Sequence, residues 1–110
     1  MIRGTTPDYL LNIDGYDLSD KTVYVTIRQN NTRLTKTGDE LSIAVDENGS
    51  TIALLLSQKD TLQLKEGSAE IQVRFIDSNG TAYATEIATI TVSRVLLERV
   101  IAYDKNTTQG

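Results

Sequence analysis

The sequence predicts an all-β protein, a two-sheet antiparallel sandwich of seven or eight short strands. Apolar and polar side chains alternate in four stretches, at residues 23–27, 41–45, 52–56 and 71–75. An α-helix turns by about 100° per residue and would scatter alternate side chains, whereas a pleated strand places them on one face. Turn-forming residues separate the stretches, and 110 residues suit one hydrophobic core.

The other strands follow from the same alternation and from the turns that bound them. The predicted strands cover residues 8–13, 22–29, 33–36, 40–45, 51–56, 69–76 and 82–92. Pro7 precedes the first strand, a position where the backbone donor that proline lacks is not needed. The segment at 33–36 is short and weakly apolar, which predicts a strand at a sheet edge.

Two turns carry an Asn-Gly pair between alternating strands, at Asn48-Gly49 and Asn79-Gly80. Asn and Gly adopt the left-handed dihedrals of primed turns, so both pairs predict β-hairpins. Between the hairpins, residues 57–61 predict one helical turn. Ser57 is its expected N-cap, and Asp60 takes the place of the usual Glu or Gln three positions later.

The alternation shifts by one position within the last predicted strand. Tyr83 and Ile87 are odd-numbered, whereas Ala88, Ile90 and Val92 are even-numbered. A β-bulge produces such a register change, and burial on both faces is the alternative. We expect the bulge.

Five large apolar residues follow near the C-terminus, in residues 95–101. Their spacing fits a helix as well as a strand. A contiguous apolar segment of this kind either closes a sheet or covers a neighbouring subunit, and we expect burial within the chain. Residues 104–110 are polar. The predicted organisation is one domain over residues 1–103 and a flexible tail over residues 104–110.

Strand count and spacing favour an immunoglobulin-like sandwich, with a small barrel as the competing architecture. The chain contains neither Cys nor Trp, so the disulfide and the tryptophan typical of antibody domains are missing. The predicted core is therefore aliphatic throughout.

Composition argues against enzymatic chemistry. The chain contains no His and no Cys, the residues most used for acid–base and nucleophilic catalysis near neutral pH. Glu40, Glu70 and Arg74 alternate with core positions, so we expect them on a solvated outer face. No catalytic residue and no cofactor-binding residue is predicted.

One loop, at residues 14–20, is a candidate metal site, because Asp14, Asp17 and Asp20 offer the oxygen ligands that Ca²⁺ prefers. The spacing differs from that of an EF-hand loop. A solvated turn whose aspartates cap nearby amides is the interpretation we favour, so no metal ligand is assigned.

Charge restricts the partners. The net charge is −4 with scattered basic residues, which repels a nucleic acid at long range. No apolar run spans a membrane, and Met1 to Gly4 lack the apolar core of a secretory signal, so we expect synthesis in the cytoplasm.

Tyr24 points outward from its strand, either as an interface residue or as an isolated surface tyrosine.

Several segments resemble a specific group of proteins. They are residues 3–7 (RGTTP), 23–30 (VYVTIRQN), 56–62 (LSQKDTL) and 69–74 (AEIQVR) followed by a Gly turn. These segments resemble small phage and prophage proteins of Gram-positive bacteria, which are similar to the N-terminal immunoglobulin-like domain of phage upper baseplate proteins. The resemblance extends up to Ile101.

This resemblance implies a structural module of the virion or its tail, made in the bacterial host cytoplasm, that contacts copies of itself or other phage proteins. It implies no active site. The chain ends where an upper baseplate protein continues into further domains, so a baseplate subunit and a free-standing accessory protein are both expected roles. The alternative function is a bacterial surface or carbohydrate-binding immunoglobulin-like module.

Overall fold

The computed structural model describes residues 1–103, and the predicted tail at 104–110 lies outside the described residues. The described chain forms eight strands, a five-residue helix α1 (Gln58–Leu62) and a 3-10 turn (Gly38–Glu40). The strands are β1 (Asp8–Asp14), β2 (Thr22–Gln29), β3 (Thr32–Thr37), β4 (Leu41–Asp46), β5 (Gly49–Leu55), β6 (Gly67–Ile76), β7 (Ala82–Ala84) and β8 (Ala88–Val92). No helix of residues 1–103 is long and apolar enough to cross a membrane.

The strands form two antiparallel sheets, which confirms the predicted sandwich. The three-stranded sheet has the order β1-β5-β4, and the five-stranded sheet has the order β3-β2-β6, with β7 and β8 both pairing β6. Strands β2–β3, β4–β5 and β6–β7 are hairpins, whereas the connections between them change sheet. This is the immunoglobulin-like arrangement, with β1, β5 and β4 in the places of strands B, E and D.

The core lies between the two inner faces and is aliphatic apart from one phenylalanine, Phe75. The predicted alternation is confirmed on the central strands, whose inward residues are at most 6% exposed: Val23, Val25, Ile27, Ile52, Leu54, Leu56, Ile71, Val73 and Phe75. On β1, Ile13 is buried, and Tyr9 and Leu11 are half-buried against the same cluster. Alternate positions on these strands therefore face water.

Strand β4 departs from the prediction. Leu41 is buried, but Ile43 and Val45 are 36% and 43% exposed, although they lie opposite the inward-facing Ile52 and Ser50 of β5. Strand β4 pairs only with β5 and forms the edge of its sheet. Two of the three apolar residues on the predicted face of β4 therefore extend beyond the covered part of the core.

Both predicted hairpins are present, but neither turn is primed. Asn48 and Asn79 do not have positive φ; Asn30, at 53°, is the one non-glycine residue that does in the described chain. In each turn an aspartate side chain organises the backbone instead: Asp46 Oδ1 accepts from Asn48 N at 2.7 Å, and Asp77 Oδ1 accepts from Asn79 N at 2.9 Å. Aspartate capping therefore replaces the predicted turn geometry.

Glycine is required at the first hairpin for a different reason from the one predicted. Gly49 has φ 148°, and a Cβ atom there would lie 2.3 Å from the carbonyl oxygen of Ile13. The end of β1 passes directly over Gly49, since Asp14 pairs with it. Close approach of two strands fixes the residue type.

The predicted bulge is confirmed between β7 and β8. Arg74 pairs with Ala84 and Ile71 pairs with Ala88, so residues 85–87 lie opposite only residues 72–73. Thr85 spans the interruption: its N–H donates to Val73 O at 2.9 Å, and its Oγ1 accepts from Val73 N at 3.1 Å. The predicted long strand is thus two strands joined by a bulged connection.

The predicted helical turn is confirmed as α1. Ser57 Oγ accepts from Asp60 N at 3.0 Å, and Asp60 Oδ2 accepts from Ser57 N at 3.0 Å. This reciprocal pair is a capping box in which Asp replaces Glu. It positions Asp60 toward β3 and Gln58 toward residues 95–103.

Candidate interaction surfaces

The outer face of the five-stranded sheet carries a shallow cavity that we name the basic groove. Alternation points Tyr24 and Arg28 outward from β2, and Glu70 and Arg74 outward from β6. The register places Arg28 between Arg33 of β3 and Glu70 of β6. The groove has a volume of about 480 Å³ and is lined by Tyr24, Thr26, Arg28, Arg33, Thr35, Glu70, Ile71, Gln72, Arg74 and Ile87.

The basic groove is positively charged in an acidic protein. Three arginines and one glutamate line it, a net charge of +2, whereas the whole chain carries −4. Within residues 1–103, none of these arginines forms an ion pair within 4.0 Å. Arginine presents a planar fork of donors that matches carboxylate oxygens in pairs. The groove is therefore equipped to receive carboxylates.

Two of the predicted outer-face residues, Glu70 and Arg74, are exposed in this groove together with Tyr24. Glu40 is also exposed, but it lies in the 3-10 turn, where its Oε1 accepts from Thr37 N at 3.2 Å. Sequence reasoning did not single out Arg28. Arg28 follows Tyr24 by four residues on β2, so alternation already placed it on the same outer face.

The outer face of the three-stranded sheet, which we name the acidic face, has the opposite character. Its outward carboxylates are Asp8 and Asp14 of β1 and Asp46 of β4, and none of the three strands contains Lys or Arg. Leu10 lies between Asp8 and Asp14 along β1, Leu55 lies opposite Asp8 at the end of β5, and the two leucines are 65% and 62% exposed. This face combines negative charge with exposed apolar side chains.

The segment at 95–101 contradicts the expectation of burial within the chain. It forms no strand or helix, and Leu96, Leu97, Val100 and Ile101 are 52–90% exposed. The segment is attached to the domain through the main chain of Ile101 and the side chain of Glu98. We name residues 95–103 the C-terminal segment.

Two polar side chains anchor the C-terminal segment. Gln58 of α1 accepts from Ile101 N at 2.7 Å and donates to Ile101 O at 2.9 Å. The buried Arg3 pairs with Glu98 and donates to the carbonyl oxygens of Leu62 and Leu64. Arg3 was missed by the sequence reasoning because an isolated arginine carries no signal that it will be buried.

An ion pair between Lys36 of β3 and Asp60 of α1 lies beside the helical turn. Lys36 Nζ lies 2.9 Å from Asp60 Oδ2 and 3.5 Å from Glu40 Oε2. Burial opposes ionisation of Asp60, but hydrogen bonds from Ser57 and Lys36 outweigh it and hold the pKa of this carboxyl below its ordinary value. The hydrogen bond to Asp60 raises the pKa of Lys36. This pair ties β3 to the helical turn.

The candidate calcium loop is organised by its own hydrogen bonds. Asp17 Oδ1 accepts from the amide of Ser19 at 2.9 Å and from its hydroxyl, which lowers the pKa of Asp17. Lys21 Nζ donates to Asp17 O at 2.8 Å and to Asp20 Oδ1 at 3.2 Å. Asp17 therefore caps a local amide, and within residues 1–103 no three carboxylates, His or Cys converge on a common point.

Comparison with known proteins identifies no family for the chain. No protein-family model matches the chain, and no curated protein matches it. Nothing in these comparisons points to a phage baseplate protein, so the resemblance described from the sequence stays a prediction.

Proposed function

We propose that the chain is a non-catalytic structural module of a phage or prophage particle, acting through assembly contacts with other particle proteins. The observation that carries the proposal is the C-terminal segment, which holds four large apolar side chains in water on an anchored main chain. Monomeric soluble proteins rarely expose contiguous apolar surface without a partner for it.

Energetics favour a protein partner for this segment. Burying one Leu, Ile or Val side chain stabilises a complex by about 1.5–3 kcal/mol. Gln58 and Arg3 already hold the backbone at Ile101 and Glu98, so binding orders fewer degrees of freedom than docking of an unattached tail. Because the segment is already anchored, less of the free energy gained by burying its side chains is lost to ordering when a partner binds.

The phage setting is supported by the residue stretches that resemble phage proteins and by the sandwich fold, which the resemblance implies. The partner proposed is another structural protein of the particle, with the groove and the acidic face as additional contact surfaces. A carbohydrate-binding role has weaker support, because Tyr24 is the one aromatic side chain in the basic groove.

Mass spectrometry of particles purified from the strain that encodes the chain tests this proposal. We expect the protein at a fixed copy number per particle. Leu96→Asp combined with Val100→Asp is expected to remove it from particles without lowering its Tm, since both side chains are exposed. Ser78→Asp, in the β6–β7 turn at the opposite end of β6, is the matched control and should be incorporated normally.

Absence of the wild-type protein from purified particles, while it is abundant in the same cells, would contradict the proposal. Normal incorporation of the double variant would show that the C-terminal segment does not carry the contact. Saturable binding on a glycan array that Tyr24→Ala abolishes would instead support the carbohydrate-binding alternative.

A further inference from the structure

We infer that the acidic face of one copy docks into the basic groove of a second copy, so that the chain associates head to tail through its two outer sheet faces. The inference rests on the proposed assembly function and names a partner for it, a second copy of this chain. Its support is the complementarity of two surfaces that lie on opposite sides of one sandwich.

The charges of the two surfaces match in sign. The basic groove presents Arg28, Arg33 and Arg74 with no ion-pair partner in the described chain. The acidic face presents three carboxylates with no Lys or Arg on its strands. Docking the acidic face into the groove places carboxylates beside arginines, whereas groove-to-groove and face-to-face contacts place like charges together.

Both surfaces also expose apolar side chains. Leu10 and Leu55 are diagonal neighbours across the β1–β5 pair, because Leu10 lies opposite Ala53 and Asp8 lies opposite Leu55. In the groove, Ile87 is 56% exposed and Tyr24 is 41% exposed. Apolar contacts bordered by polar and charged groups are usual in specific protein interfaces.

Using two different surfaces makes the contact heterologous. Each copy that joins leaves one groove and one acidic face free, so association continues into a ring or a stack rather than ending at a dimer. Opposite charges drive the encounter, so association should weaken as salt screens them. This behaviour suits a component that is repeated in a larger particle.

A charge exchange tests the inference on the full chain by sedimentation velocity. One variant reverses the groove with Arg28→Glu and Arg74→Glu, and the other reverses the acidic face with Asp8→Lys and Asp14→Lys, which leaves the turn-capping Asp46 unchanged. Each variant alone places like charges in contact, so its self-association should weaken by at least about tenfold. Mixed in equal amounts, the two variants present opposite charges at both contacts, and association should recover to within about threefold of the wild type.

Three controls separate the outcomes. Far-UV circular dichroism checks that each variant is folded. Lys59→Glu combined with Lys65→Glu alters charge outside both surfaces and should leave association near the wild-type level after allowance for net charge. Raising NaCl from about 50 mM to about 500 mM should weaken wild-type association.

Variants that associate as the wild type does would overturn the inference while leaving the assembly function intact. A mixture that stays dissociated, although both variants are folded, would overturn it as well. A wild-type chain that stays monomeric up to about 1 mM at low salt, a concentration at which even weak contacts register, would also overturn it. The particle measurement above would still decide the proposed function.

Discussion

The two sheets of this sandwich are alike on their inner faces and opposite on their outer faces. The buried residues of β2, β5 and β6 are Val, Ile, Leu, Ala and Phe, together with Gln29 and Ser50, and all are nearly inaccessible. Outward residues give one sheet three arginines and the other three aspartates. Folding constrains the inner positions by burial, and the outer positions are free to carry recognition.

The edges of the two sheets differ in the same way. Strand β3 bears Arg33 and Lys36 along its edge, charges that discourage pairing with another strand. Strand β4 is uncharged from Leu41 to Val45, and Ile43 and Val45 are exposed. The three-stranded sheet therefore exposes apolar side chains at an edge, whereas the β3 edge of the other sheet is charged.

The largest expected effect separates the inner from the outer face of one strand. Ile52 of β5 is 0% exposed and Leu55 is 62% exposed. Ile52→Ala leaves a cavity in the core and should lower the free energy of unfolding by about 4 kcal/mol, whereas Leu55→Ala should change it by no more than about 0.5 kcal/mol. Urea unfolding measures both, and similar losses would show that the inner and outer faces are wrongly assigned.

A smaller effect is expected at the glycines of the two Asn-Gly pairs, one in a hairpin of each sheet. Gly49→Ala places a Cβ against the Ile13 carbonyl and should destabilise by about 3 kcal/mol. Gly80→Ala, at φ 84° with no atom within 4 Å of the added carbon, carries only the dihedral penalty of about 1 kcal/mol. Equal losses in thermal unfolding would argue against the close approach of β1 to Gly49.

The smallest effect concerns the Lys36–Asp60 pair, which ties β3 to α1. The folded-state pKa of Asp60 is depressed, so its contribution is complete above the unfolded pKa of about 3.9 and is lost as pH falls through the folded pKa. Asp60→Asn should lower the free energy of unfolding by about 1.5 kcal/mol at pH 7. The variant and the wild type should converge as the pH falls through the folded-state pKa of Asp60.

Asp39→Asn is the matched control for that pH profile, because Asp39 is exposed and forms no ion pair in residues 1–103. It should follow the wild type at every pH. A constant difference between Asp60→Asn and the wild type from pH 7 to pH 2 would assign the loss to the changed side chain rather than to its ionisation.

Much of the fold could be predicted from the sequence, because alternation reports directly which side chains share a strand face. It identified β2 at its observed bounds and the bulge after β7. Alternation does not report whether a face is covered, so the exposure of Ile43 and Val45 at the edge was not predictable. That outcome depends on the position of β4 in the sheet order.

The turns and the surfaces depend on tertiary contacts that local sequence does not encode. The requirement for glycine at position 49 follows from the passage of β1 above it, not from the turn alone. Alternation places Arg28 and Arg74 outward, but Arg33 joins them only through the register of β3 on β2. The position of the C-terminal segment involves hydrogen bonds to Arg3 and Gln58, which lie far from it in sequence.

Chemical-shift mapping on the ¹⁵N-labelled chain, diluted in steps from about 1 mM at low salt, tests most directly whether the two outer faces bind each other. The predicted result is that concentration-dependent shifts occur together around Arg28 and Arg74 in the groove and around Leu10 and Leu55 on the acidic face. Shifts confined to the edge of β4 or to the C-terminal segment, with both outer faces unchanged, would contradict the account.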